Sequence, residues 1–287
     1  MVNPGFLEND DVIAWLGGVE PYWTYLDFDS YCRLRRRPDE DGRALKLTAD
    51  MAETELSASP MIAAILHLLR KAEAKPIELT GAGCLPRTVV VELAEIVDGS
   101  AFDLSLIRSL SKVLNEQDVW PAELLLVVAI EMRLLRRVGK KLVPTAKGKK
   151  VLSTGSGDLM ARLFELVFWR INLGRWDGCP VPSWPQGDIG IIIWCLSHVA
   201  KNWQTPDRLA RLAAVPVIGV LEARPDFAGL ALELRSLRML ALFGLLETDR
   251  ETMTGSRFHG RRYRKTALFD RFFAFDVTLE PIEGPRH

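Results

Sequence analysis

Apolar residues recur along this chain at helical rather than strand spacing. Met61, Ile62, Ile65, Leu66, Leu68 and Leu69 give PMIAAILHLLRK a broad apolar face. Ser59-Pro60 in front of it supplies an N-cap serine and a proline at the first helical position. The same signals predict helices at TVVVELAEIV behind Pro86, at Leu104 to Leu114, and from Pro121 to MRLLRRVGKK. LMARLFELVFWRI, Asp188 to Asn202, DRLARLAAV behind Thr205-Pro206, and Leu230 to Phe243 continue the series. Strand signals are short: Ile77 to Leu79, Leu142-Val143, and Leu245 to Arg264 around a hairpin tip at Thr252 to Gly260. The expected fold class is mainly α with short β-wings and no large sheet.

Punctuation divides the chain into three stretches. Residues 1–55 are rich in aromatics and carry RLRRR (Arg33 to Arg37) directly before PDEDG, a helix end followed by a turn. They read as a helical arm packed on the main body. Ser153-Thr154-Gly155-Ser156-Gly157 has the composition of a linker and separates 56–155 from 156–287. GCPVPSWPQG (Gly178 to Gly187) is too rich in proline and glycine to be regular.

One corner is written more than once. Thr145 and Thr80 each follow a short strand, each precede a predicted helix, and each have glycine three residues on, Gly148 and Gly83. A looser copy surrounds Thr266. A threonine hydroxyl can accept an orphan N–H of the new helix, and its β-branched backbone suits the strand before it. Glycine inside the first turn is best explained by close packing against the preceding helix. The pattern predicts duplicated units, two in tandem over 56–155 and another in 156–287, with the Thr80 and Thr145 hydroxyls at helix N-termini.

LRMLALFGLLETDRETMTGSRFHGRRYRKTALFDRFF resembles the distal part of winged helix-turn-helix domains, in which a helix ends in a leucine-glycine-leucine corner before a two-stranded wing. RLLRRVGKKLVPTAKGKKVL resembles a shorter-winged version. The resemblance covers Asp188 to Phe275 well and Ser100 to Leu152 loosely, and it departs from the pattern where Phe269 replaces the glycine expected after Thr266. LTGAGCLP is similar to a segment of uncharacterised bacterial proteins, some plasmid-encoded. Winged helices include both DNA readers and protein-interaction modules, so the resemblance leaves both functions open.

Charge narrows the choice only locally. The 287 residues hold 37 Lys+Arg and 37 Asp+Glu, so any attraction for polyanions must come from patches. Arg133, Arg136, Arg137, Lys140, Lys141, Lys147, Lys149 and Lys150 occur with no acid between them. Arg257, His259, Arg261, Arg262, Arg264 and Lys265 form another cluster on the C-terminal wing. Both are candidate phosphate contacts. The candidate groove-reading helix, LALELRSLRMLALF, offers only Glu233, Arg235, Ser236 and Arg238 as polar positions, and helices this apolar belong in a core or an interface.

Catalytic chemistry finds no footing. Cys32, Cys84, Cys179 and Cys195 form no CxxC pair, and His67, His198, His259 and His287 show no metal spacing. His67 and His198 fall within apolar helices and read as core histidines. STGSG lacks the lysine of a phosphate-binding loop. No enzyme activity, cofactor or metal is expected. MVNPGFLENDDVIAWLGG lacks the features of a signal peptide, and no apolar run approaches the roughly 20 residues of a spanning helix, so a cytoplasmic protein without membrane contact is expected. Two readings follow: a regulatory, nucleic-acid-associated protein with DNA as partner, or an interaction scaffold whose apolar helices meet a second copy or another protein.

Overall fold

The computed structural model describes residues 7–100, 102–155, 157–177, 184–223, 227–249 and 261–280. They are mainly helical, with small antiparallel sheets, as the helical periodicity predicts. In chain order the helices begin with α1 (Asp10–Leu16), α2 (Phe28–Leu34), α3 (Glu53–Leu56), α4 (Pro60–Ala74) and α5 (Arg87–Val97). Next come α6 (Leu104–Leu110), α7 (Trp120–Glu131), α8 (Ala146–Thr154), α9 (Leu159–Glu165) and α10 (Ile189–Val199). The last are α11 (Pro206–Ala213), α12 (Ile218–Ala223), α13 (Phe227–Leu232), α14 (Arg238–Leu242) and α15 (Ala267–Phe272). The strands are β1 (Leu45–Leu47), β2 (Ile77–Glu78), β3 (Leu135–Val138), β4 (Lys141–Pro144), β5 (Leu246–Thr248), β6 (Tyr263–Lys265) and β7 (Phe273–Phe275). Two compact units result. One comprises Met1–Leu47, Asn172–Met239 and Asp249–His287, the other Thr48–Ile171 and Leu240–Thr248.

In the unit built on Thr48–Ile171, Ser59 Oγ accepts the Ile62 N–H at 3.4 Å and Pro60 opens α4, as the sequence predicts. Helix α7 (WPAELLLVVAIE) is apolar nearly all round, and Leu124, Leu125, Leu126, Val128 and Ala129 are buried as it packs on α4 and α5. It closes on a left-handed residue, Arg133 at φ 55°. There the Leu134 N–H returns to the Ala129 carbonyl at 2.9 Å and the Arg133 N–H to Ile130 at 2.8 Å, a Schellman closure. The same pair of bonds recurs downstream, from Leu245 to Leu240 and from Gly244 to Ala241, both at 2.9 Å, across Gly244 at φ 77°.

After Arg133 the chain forms a three-stranded sheet in the order β2–β4–β3, with Ile77 opposite Leu142 and Leu135 opposite Pro144. Ile77, Leu135 and Leu142 are buried. Thr145 then caps α8, its hydroxyl accepting the Gly148 N–H at 3.1 Å.

The corner at Thr80 departs from expectation. Its hydroxyl accepts the Cys84 N–H at 3.1 Å and its carbonyl the Gly83 N–H at 2.9 Å, so it folds a loop. Helix α5 begins only at Arg87, with Pro86 in the cap position. Because β2 pairs with β4, the Thr80 and Thr145 corners share one sheet. The corner that does match Thr145 is Thr266, whose hydroxyl accepts the Phe269 N–H at 3.3 Å. STGSG is also no free linker: Ser153 and Thr154 complete α8, and the Gly157 carbonyl accepts the Met51 N–H at 3.3 Å. The helix expected over Leu104 to Leu114 stops at Leu110.

In the other unit the N-terminal residues are built in. Strand β1 pairs antiparallel with β7, Lys46 opposite Ala274, and α2 lies so close to α10 that a Cβ at Gly190 would sit 2.0 Å from the Leu34 carbonyl oxygen. The RLRRR run is paired here: Arg33 reaches Asp276 at 2.5 Å and Arg35 reaches Asp188 at 2.7 Å. Thr205 caps α11 through the Arg208 N–H at 3.3 Å. Gln204 and Tyr263 exchange both backbone bonds, at 3.1 and 2.8 Å. Strand β6 belongs to the expected C-terminal wing, whose tip at 250–260 lies outside the described residues.

The glycine three residues after Thr145 has the packing role expected of it. A Cβ at Gly148 would stand 2.2 Å from the Leu134 carbonyl oxygen and 3.0 Å from a Leu69 methyl. Gly148→Ala should therefore destabilise the fold. Overpacking costs about 1–3 kcal/mol, and more against a backbone atom, which exceeds the ~1 kcal/mol alanine gains in helix propensity. Gly81→Ala, with nothing within 4 Å, should unfold in urea close to the parent midpoint.

Candidate nucleic-acid interface

The first basic cluster is brought together by one hairpin and the helix that follows it. Strand alternation turns Leu135 and Leu142 inward and leaves Arg136 and Lys141 on the opposite face, with Gly139 and Lys140 at the turn. In α8, Gly148 and Val151 are buried while Lys147, Lys149 and Lys150 are exposed.

Three of these cations have partners. Arg137 donates to the Gly83 carbonyl at 3.3 Å, Lys141 lies 3.6 Å from Glu78, and Lys147 Nζ donates to the Met132 carbonyl at 2.9 Å. Partial burial, with Arg162 and Arg133 nearby, lowers the Lys147 pKa below the ordinary lysine range, against an opposing pull from Asp158. Among the described residues, Arg133, Arg136, Lys140, Lys149 and Lys150 are exposed and make no ion pair.

The C-terminal cluster is different. Arg257 and His259 lie outside the described residues. Arg262 is paired with Asp249, Lys265 with Asp270 at 2.6 Å, and the Arg264 guanidinium lies 4.6 Å from the Trp203 ring centroid. Arg261 is half-buried beside Glu233. These cations are engaged by their own fold.

Helix α13, a single π-helical turn (Glu233–Leu237) and α14 together form the candidate groove-reading helix. Glu233, Arg235 and Ser236 are buried within it. Arg235 is 1% exposed; it bonds Asp177 with Nε at 2.5 Å and Nη2 at 3.1 Å, and the Trp184 carbonyl with Nη1 at 2.5 Å. The Tyr263 hydroxyl donates to Glu233 at 2.9 Å, and burial raises the Glu233 pKa despite that bond and the nearby Arg261 and Arg238. Glu233, Arg235 and Ser236 point into the protein, while Arg238 is half-buried.

The two histidines expected in the core have different settings. His67 is half-buried and shares Glu92 with Lys71, at 2.9 and 2.7 Å. His198 is not a core residue: it is exposed near the end of α10, its ring stacked 4.7 Å from Tyr22. Among the described residues no helix is long and apolar enough to cross a membrane.

Residues 57–157 match the family described as the Y4jL N-terminal domain. The match takes in the basic hairpin and covers about a third of the chain. The family takes its name from an uncharacterised plasmid-encoded protein, in line with the likeness carried by LTGAGCLP. No curated protein matches the chain, and no solved structure does.

The Arg235–Asp177 pair was invisible in the sequence, where Asp177 sits in an irregular stretch. Both groups are desolvated, and Arg235→Ala would leave the Asp177 carboxylate buried without its counterion. The expected loss is about 3–5 kcal/mol, read from chemical denaturation. A loss within that of an ordinary surface substitution would contradict this.

Proposed function

We propose that the chain is a non-enzymatic protein with two winged-helix-like modules, and that it holds nucleic acid by its phosphates through the basic hairpin of the first. The element order supports two copies. The first runs α4, β2, α5, α6, α7, β3, β4, α8, and the other runs α10, the strand residue Gln204, α11, α12, α13–α14, β5, β6, α15. In both, the third major helix ends on a left-handed residue with identical closing bonds. In both, the residue paired with the strand after the first helix stands three before the capping threonine, Leu142 before Thr145 and Tyr263 before Thr266.

The observation that carries the binding mode is the contrast between enclosed helices and open cations. The helix that would enter a groove is largely buried in both copies, so direct base readout has few polar side chains to work with among the described residues. Five basic side chains of the first hairpin region are exposed and unpaired among the described residues, and their natural counterions are phosphates. A second reading, an interaction scaffold without nucleic acid, is favoured by Leu110 and Val113, which stand 55% and 45% exposed at the end of α6 and just beyond it.

Titration of a labelled mixed-sequence duplex over a range of salt tests the first reading. Log K should fall linearly with log salt, and Arg136→Ala, Lys140→Ala, Lys149→Ala and Lys150→Ala should each flatten the slope by about 0.9 where a phosphate contact is lost. Arg262→Ala, which removes an internal partner of Asp249, should leave the slope unchanged. Undetectable binding by micromolar protein at about 50 mM salt would transfer the proposal to the scaffold, since even non-specific binders register there.

A further inference from the structure

We propose that Arg133 is held in the left-handed backbone region for the sake of its charge, as a phosphate contact at the foot of the basic hairpin; this rests on the nucleic-acid reading above. Among the described residues, Arg133 is the one non-glycine with positive φ, at 55°. The geometry there is that of a helix-closing residue, and the equivalent closure downstream uses Gly244, the residue that adopts this backbone without strain. Arginine carries a Cβ into the same conformation at a cost glycine avoids.

Among the described residues, no ion pair repays that cost. The Arg133 side chain is exposed and makes no ion pair among the described residues. Its charge acts on Lys147, another cation, and that effect is repulsive. What does bind at this residue is its backbone: the Thr145 hydroxyl donates to the Arg133 carbonyl at 2.5 Å, a bond any residue would provide. A strained, exposed cation that sits beside another cation and makes no ion pair among the described residues is repaid by an external polyanion. The exposed Arg136 and Lys140, on the hairpin that starts from it, place that polyanion on the same surface.

The test measures fold stability and binding on full-length Arg133→Gly, Arg133→Asn and Arg133→Lys, with a labelled mixed-sequence duplex as probe. Glycine and asparagine both tolerate the left-handed region. Their variants should unfold at the parent midpoint or about 2 °C above it, and should bind duplex with a log K–log salt slope shallower by about 0.9. Arg133→Lys should keep the parent slope and midpoint. Parent-like slopes in the glycine and asparagine variants would overturn the proposal while leaving the nucleic-acid reading intact. A lowered midpoint in both would overturn it too, by showing that the side chain supports the fold. Absence of salt-dependent binding in the parent would instead remove the reading on which the proposal rests.

Discussion

A helix that is apolar on nearly every side has to be enclosed, and the enclosure of α7 organises the unit around it. Helices α4 and α5 pack on it, and the chain can leave it only by turning sharply at Arg133. That turn delivers β3, whose inward residue Leu135 and the facing Leu142 continue the same core. The inward face of the hairpin is taken by Leu135 and Leu142, so Arg136 and Lys141 take the other face and Lys140 the turn. Gly148 then lets α8 settle on the Leu134 carbonyl, which fixes Lys147, Lys149 and Lys150 beside the hairpin. The basic surface is thus a by-product of core packing as much as of charge.

The other unit applies the same constraint with polar groups inside. Its helical residues 227–239 carry Glu233 and Arg235 inward, and each is answered, by Tyr263 and by Asp177 with the Trp184 carbonyl. Buried ions are tolerated only when their hydrogen-bonding capacity is met in this way. Around the β3–β4 hairpin, Arg133, Arg136 and Lys140 make no ion pair among the described residues, whereas the described cations around β6 have partners of their own.

Much of the fold was legible because its signals are local. Ser59-Pro60 and Thr205-Pro206 open helices as expected, since a cap depends on adjacent residues alone. Thr80 misleads for the same reason: a threonine before a glycine serves a loop as well as a helix start, and only the position of Arg87 tells them apart. STGSG fails as a linker because composition cannot show that Thr154 still completes a helix. The first basic cluster is legible as a run of cations without acids. The C-terminal cluster has an equivalent sequence pattern, but among its described cations Arg262 is answered by Asp249 and Arg264 by the Trp203 ring, partners well apart from them in the chain that only the fold brings near. The left-handed backbone of Arg133 has no sequence signal, because glycine or asparagine is the residue expected there.

Competition among duplexes of unrelated sequence tests most directly whether binding proceeds through the hairpin with the central helices sealed. With base edges out of reach, duplexes of equal length should compete equally at fixed salt. A preference of about tenfold or more for one sequence, the scale of a readable base contact, would mean that one of the enclosed helices reaches the groove.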